Sequence, residues 1–251
     1  MNNERTFLEA QRLADEKVYL SEERYENPKE YFKVVTSMFS DSLGDGNDRR
    51  LLDVGCATGE YIYWLKKILP TVDYVGIDIS EPLIVRAAKA VPGACFEVNS
   101  IATGNIETLG GQFDAVTCLG VLSQLDDIEP ALRNMLRCTK PGGAVFIGTP
   151  TNEDPVDVIM RYRVNGPDQG VWESGRNTWS KFTYETLVER CGYDVSMSWK
   201  PFHMPFPIPK RHDDPMRNWT VQIDDQPTQQ MNGGCQLIDW QVLRIDVHGP
   251  K

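Results

Sequence analysis

The chain is short of histidine, of paired cysteines and of positive charge. It has three histidines, His203, His212 and His248, too few for a multi-histidine metal centre. Its six cysteines, Cys56, Cys95, Cys118, Cys138, Cys191 and Cys235, include no CxxC pair. A zinc ribbon and a dithiol redox site are thereby excluded, and most of the thiols sit in apolar segments, as free buried cysteines of a reducing cytoplasm do. Asp213, Asp214, Asp224 and Asp225 show no regular ligand spacing, so no metal is expected. Lys and Arg number 26 against 36 Asp and Glu, a formal net charge of −10. That balance argues against nucleic acid and anionic membranes as partners, since both select clustered positive charge. No apolar run approaches the roughly 18–20 residues of a membrane span. The polar, charged N-terminus, MNNERTFLEAQRLADEKVYL, lacks the apolar stretch of a secretory signal. A cytoplasmic location is the expectation.

What is present is an ordinary globular composition, 41% hydrophobic and 25% charged over 251 residues, a length for one elaborated domain. There is no internal repeat. From Arg50 to Thr149 short apolar runs alternate with helical patterns. The runs 51–55, 74–78, 94–100, 113–120 and 144–150 are predicted strands. Helices are predicted after the first strand (Tyr61, Trp64, Leu65 and Ile68 at helical spacing), over 81–91 with Ser80 as N-cap, and over 126–139. Apolar strands separated by helices indicate a parallel sheet covered on both faces. A helix over 182–193 and strands over 194–200 and 236–247 complete the reading. Residues 1–49 read as an N-terminal helical cap, with SLGDGND (42–48) as a loop. Residues 50–251 read as the main domain. Its segments 151–180 and 201–235 lack a clear period and are expected as insertions.

The strongest local signal is LLDVGCATGEY (51–61), a strand running through Gly55 and Gly59 into a helix. Small residues there let backbone approach a ligand, and a helix N-terminus favours an anionic group. The dinucleotide pattern GxGxxG is not met, because Ala57 holds its middle position. Asp78 ends the next strand, about twenty residues on, where a carboxylate can accept both hydroxyls of a ribose.

With YVGIDIS (74–80), FDAVTCLGVLSQLDD (113–127) and TKPGGAVFIGTP (139–150) following in order, the chain resembles the class I S-adenosylmethionine-dependent methyltransferases over about 100 residues. The resemblance implies an α/β Rossmann-like fold. Its seven-stranded, mostly parallel sheet has order 3-2-1-4-5-7-6, with the last strand antiparallel, helices on both faces and a lid or cap region. It implies S-adenosyl-L-methionine as cofactor, with S-adenosyl-L-homocysteine as product. It further implies cofactor contacts from Asp53, Gly55, Cys56, Ala57 and Gly59, from Asp78 to the ribose, and from Ile79 to the adenine. Asn99, Ser100 and Ile101 would meet the adenine amino group, with Asn99 where relatives often carry Asp. Leu119, Gly120 and Val121 would line the cleft. Where many relatives carry Glu-His, this chain reads Ser123-Gln124, so no histidine there can act as base.

Methyl transfer to a hydroxyl needs a base. His203 and His212 lie in the second insertion, and Asp213 follows His212, a carboxylate able to orient an imidazole. These three are the catalytic candidates. Aromatics collect in and beside the same insertions (Tyr162, Trp172, Trp179, Phe182, Phe202, Phe206, Trp219), with Arg161, Arg163 and Arg176 available to an acidic acceptor. Tyr19 and Tyr25 are candidates for a helix closing over the cofactor. The expected acceptor is a small polar molecule, a hydroxyl of a sugar, nucleotide-sugar or secondary metabolite. Methylation of an amine or protein side chain, and a non-catalytic cofactor-binding subunit, are the alternatives. The sequence specifies no oligomeric state.

Overall fold

The computed structural model describes residues 16–39, 48–165, 170, 172–225 and 227–251. Residues 1–15 and 40–41 of the expected cap, 42–47 of the expected loop, and 166–169, 171 and 226 of the expected insertions lie outside the described residues.

Five strands form the parallel half of one sheet: β1 (Arg50–Val54), β2 (Asp73–Asp78), β3 (Cys95–Val98), β4 (Phe113–Leu119) and β5 (Thr139–Asn152). Between and before them run α1 (Glu30–Ser37), α2 (Glu60–Ile68), α3 (Glu81–Ala90) and α4 (Glu129–Cys138). Beyond β5 come β6 (Arg161–Tyr162), β7 (Glu173–Ser174), β8 (Trp179–Ser180), α5 (Lys181–Arg190), β9 (Tyr193–Phe202), β10 (Trp219–Val221), β11 (Gln229–Met231) and β12 (Leu237–Pro250). The sheet order is β10-β11-β12-β5-β4-β1-β2-β3, with β9 also paired to β12. β12 runs antiparallel to β5 and to β9. Counting β9 and β12 as sixth and seventh strands gives the expected 3-2-1-4-5-7-6 order and the antiparallel last strand.

Strand periodicity sorts the core into two layers. Leu52, Val54, Val116, Cys118, Val145 and Ile147 join Leu132 and Met135 of α4 and Tyr184 and Val188 of α5. Their strand neighbours Leu51, Ala115, Ala144 and Phe146 join Phe32 and Val35 of α1 and Tyr61, Ile62 and Leu65 of α2. Each fully buried side chain of this size contributes about 1.5–3 kcal/mol relative to exposure. The Ser80 cap is present, its hydroxyl accepting from Leu83 N at 3.4 Å.

Three expectations change. α4 starts at Glu129, not 126, because Asp127 Oδ1 takes the Glu129 N–H at 3.0 Å and ends the preceding turn there. β5 begins at Thr139, before the Pro-Gly-Gly turn, and its pairing with β4 shifts register between Phe113 and Ala115. The 201–235 insertion is partly ordered sheet. β10 and β11 form an antiparallel hairpin with Trp219 opposite Met231, and β11 joins the start of β12 through Gln230–Ile238. In the first insertion β6 pairs with β7, and β8 adds to the end of β5. All six cysteines are free, but Cys95 and Cys235 are exposed. Among the described residues no helix is long and apolar enough to cross a membrane.

Candidate cofactor cleft and active site

The turn after β1 is fixed by three residues with positive φ: Gly55 at 69°, Ala57 at 46° and Gly59 at 78°. Glycine is required at the first. A Cβ on Gly55 would stand 2.2 Å from Val121 Cγ2, so the chain after β4 presses directly on this turn. The N–H groups of Gly55 and Cys56 both reach Ile77 O, at 2.8 and 3.0 Å, and knit the turn to β2 beyond the end of the strand pair. Asp78 completes the tie. Its Oδ2 accepts from Ala57 N at 3.0 Å and its Oδ1 from Ser80 N at 2.9 Å. The carboxylate therefore holds the strained Ala57 conformation as well as ending β2, a structural duty that the sequence reading did not assign to it.

Two buried oxygens at this turn, Thr58 Oγ1 and Glu60 Oε1, have no hydrogen-bond partner. Buried polar atoms are nearly always paired, so two orphans at one helix start mark a place where a ligand would supply partners. Above them runs the segment 16–39. Tyr25 Oη donates to Thr58 O at 3.0 Å. Lys29 Nζ donates to Tyr19 Oη at 3.2 Å and lies 4.7, 5.9 and 5.4 Å from the ring centres of Tyr19, Tyr31 and Phe32. Tyr19, Lys29, Tyr31, Asp53, Gly55, Ala57, Glu60 and Leu119 line one narrow cleft. Tyr31 stacks on Trp240 of β12 at 5.5 Å. Further ties hold the segment down. Glu16 accepts from Ser80 Oγ, Glu23 from Arg86, and Glu22 from Arg217.

The electrostatics of the cleft are those of a dry, mixed-charge site. Burial pushes the Asp53 carboxyl up to about 7, against the Thr117 hydroxyl bonded to it at 2.7 Å, and the Asp78 charge adds to the rise. Burial likewise raises Glu60, opposed by Lys29. Burial works to lower Lys29, yet its contacts with Tyr19, Tyr31 and Glu60 prevail and hold it above the usual lysine value. Tyr31 is raised to about 12 by burial. The Cys56 thiol is pushed well up, first by burial and then by Asp53 and Asp78, so it stays protonated and unreactive.

Residues 52–145 match a family model described as a methyltransferase domain. A trans-aconitate 2-methyltransferase of Deinococcus radiodurans is 30% identical over 106 residues, 42% of this chain and 39% of the relative. A ubiquinone biosynthesis O-methyltransferase of Pseudomonas aeruginosa is 34% identical over 110 residues, 43% of this chain and 46% of the relative. The chain thus spans less than half the length of these curated relatives. Among solved structures, the DhpI complex with S-adenosyl-L-homocysteine (SAH) is similar over 98% of both chains, at 16% identity and a TM-score of 0.58. The N-methyltransferase NodS of Bradyrhizobium japonicum, also with SAH, is similar over 96% of this chain and 100% of its own, at 16% identity and a TM-score of 0.54. At those identities the structural likeness speaks for the fold. Over residues 52–145 the chain is thus similar to methyltransferase domains, and it has the fold of these solved complexes.

The fold brings Asp53, Gly55, Cys56, Ala57, Gly59, Asp78 and Leu119 to one end of the sheet, the carboxyl ends of β1, β2 and β4. Ile79 is 44% exposed beside them. Gly120 continues from β4, its N–H bonded to Gly148 O, and Val121 packs on Gly55. Asn99 is used differently from the expectation. Its Oδ1 accepts from Ser100 N at 2.8 Å, and its amide nitrogen bonds Glu97, Asn105 and Thr108. The oxygen assigned to an adenine amino group thus already organises the loop. Ser100 Oγ accepts from Thr103 N, and the Ile101 side chain is buried in the core.

The catalytic candidates are less concentrated. His203 and His212 are both exposed. Asp213 is bonded to Arg211, not to His212, because the guanidinium two residues back offers a charge-assisted partner. The orienting carboxylate foreseen for His212 is therefore engaged elsewhere. Arg161 pairs with Asp126, and Arg163 lies over the Trp172 ring at 5.2 Å. Among the described residues no cluster of three or more metal-ligating side chains occurs. Lys29, Tyr31, Glu60 and Trp240 were missed. Lys29 sits in a polar stretch that periodicity assigns to solvent, and its place in the cleft follows only from the rings of Tyr19, Tyr31 and Phe32 gathering about it beside Glu60.

Proposed function

We propose that this chain transfers the methyl group of S-adenosyl-L-methionine to a hydroxyl of a small polar acceptor, such as a sugar, nucleotide-sugar or secondary metabolite. The observation carrying this reading is the cleft itself, where the positive-φ turn, Asp53 and Glu60 share one lining with the half-buried Lys29, and Asp78 and two buried, unpartnered oxygens stand at the same turn. The donor set fits the cofactor. Asp78 would hold the ribose hydroxyls, and Ile79 would lie against the adenine, near Asn99, Ser100 and Ile101. Lys29 would face the amino-acid carboxylate, while Glu60, Asp53 and Thr58 Oγ1 would receive the α-ammonium group. When bound, the cofactor supplies an already activated methyl group.

The chain's own work is to align and to dry. Leu119, Gly120 and Val121 wall the cleft on the β4 side. The segment 16–39, described part of the proposed 1–49 cap, covers the opening through Tyr19, Tyr25 and Tyr31. Residues 50–251 form the proposed catalytic domain, with 151–180 and 201–235 shaping the acceptor side. His203 is the proposed base. It follows Phe202, whose ring meets Tyr31 edge-on at 6.1 Å, so it is next in the chain to a residue at the cleft. His212 and Asp213 stand further along the same segment, with Asp213 held by Arg211. The net charge of −10 disfavours a nucleic-acid acceptor, and six free thiols suit the cytoplasm.

The test is transfer of labelled methyl from S-adenosyl-L-methionine into fractionated cell extract, alongside cofactor calorimetry on wild type and Lys29→Met. Label in the small polar fraction and about tenfold weaker cofactor binding by the variant are expected. Label in protein or nucleic acid would overturn the acceptor class. Unchanged affinity of Lys29→Met would remove Lys29 from the cofactor site.

A further inference from the structure

We propose that the β10–β12 ribbon recognises the methyl acceptor and takes a neutral, polyhydroxylated molecule of the carbohydrate class, with Asn218 Oδ1 accepting one of its hydroxyl groups. The proposal rests on the methyl-transfer reading above and names the subsite and chemistry of its acceptor.

The placement follows from register. Residues opposite one another in an antiparallel pair share a face. Thr220 lies opposite Gln230, and Gln230 opposite Ile238. Alternation along β12 puts Trp240 on that same face, and alternation at the other end adds Asn218 and Asn232. The bond from Asn218 Nδ2 to Gln230 Oε1 at 3.1 Å agrees. This face meets the cofactor cleft at Trp240, and the chain beside it is tied to the covering segment at Arg217. Trp240 stacks on Tyr31, a residue of the cleft wall. Arg217, next to Asn218, is bonded to Glu22 of the covering segment at 2.7 Å.

The chemistry follows from what the face offers. Asn218, Thr220, Gln230, Asn232, Ile238 and Trp240 carry no charge. Gln230 and Asn232 are buried, at 7% and 1% exposure. Arg217 is already paired with a carboxylate, so a phosphate or carboxylate on the acceptor meets no unpaired cation on this face. An ammonium meets no carboxylate on it. Asn218 Oδ1, by contrast, is buried without a partner, while the amide nitrogen of the same side chain is bonded. A carboxamide oxygen in that state takes a proton donor from a neutral molecule, and a hydroxyl is the donor such a molecule brings.

The experiment measures labelled methyl transfer from S-adenosyl-L-methionine to a panel of p-nitrophenyl glycosides and free hexoses, set beside amino-sugar, sugar-phosphate and nucleotide-hexose counterparts. Wild type, Asn218→Leu and Asn218→Asp are compared, each checked by circular dichroism and cofactor calorimetry. Transfer to a neutral glycoside is expected. Asn218→Leu should raise the acceptor KM about tenfold with the cofactor KM unchanged, and Asn218→Asp, which keeps an acceptor oxygen, should recover to within about threefold. If Asn218→Leu does not fold, Asn218→Ser, which withdraws the oxygen, is read in its place. An unchanged acceptor KM, or label confined to amino or phosphorylated sugars, overturns the proposal. So does cofactor binding without transfer to any neutral glycoside. Absence of cofactor binding in wild type overturns the methyl-transfer reading first, and the proposal with it.

Discussion

Gly55→Ala tests the physical account of the cleft most directly. Two separable costs follow from the structure. Gly55 has φ of 69°, and an alanine held in the left-handed region costs about 1–2 kcal/mol. The new Cβ would also stand 2.2 Å from Val121 Cγ2, and forcing a β-branched neighbour aside in a packed site costs about 1–3 kcal/mol. Together they predict a loss of about 2–5 kcal/mol, a large part of a typical stability of about 5–15 kcal/mol. For a chain of this size that corresponds to a Tm lower by roughly 4–20 °C. The assay is urea unfolding and thermal melting of Gly55→Ala, Val121→Ala and the double variant. Val121→Ala removes the clashing methyl but not the φ cost, so the double variant should be about 1–3 kcal/mol more stable than additivity predicts. Additivity within about 0.5 kcal/mol, or a Gly55→Ala variant as stable as wild type, would refute the contact between this turn and the chain after β4.

Asp53 makes stability depend on pH with an unusual sign. Its folded pKa of about 7 lies above the ordinary 3.8, so the folded chain keeps a proton that the unfolded chain has lost. Its contribution is full below pH 4 and disappears as pH rises to about 7, a fall of about 2–4 kcal/mol. Urea midpoints measured from pH 4 to 8 should show this slope in wild type and lose it in Asp53→Asn, and equal slopes would contradict the assignment. Asp78→Asn can accept from only one of Ala57 N and Ser80 N, so it should lose about 1–3 kcal/mol of stability together with cofactor affinity. A variant weakened in binding but unchanged in urea unfolding would show that the carboxylate does not support the turn.

The elements legible in advance were those whose local pattern and tertiary environment agree. Apolar runs such as 51–55 and 113–120 are strands because both faces of the sheet are covered, and a continuous apolar run suits such a place. Ser80 caps α3 because its hydroxyl can reach an N–H three residues on wherever that helix lies. The hairpin of β10 and β11 was not legible. Its two strands are three residues each, too short to show an alternation, and β11 begins with the polar pair Gln229-Gln230. They form because β12 offers an edge. Asn99 shows the same limit within the site, since its loop bonds depend on Glu97, Asn105 and Thr108 converging on one amide.

The sequence by itself determined the alternation of strands and helices, the sharp turn at Gly55 to Gly59 and the carboxylate at Asp78. Each depends on residues close in the chain or on a strand-end position that connectivity dictates. Only the tertiary structure decided which side chains close the cleft. Lys29 lies 24 residues before Asp53, and Trp240 is far beyond both. A cation becomes a site residue only when Tyr19, Tyr31, Phe32 and Glu60 assemble around it, and the contacts that hold Lys29 charged and the burial that raises Asp53 and Glu60 are properties of that assembly rather than of any one segment.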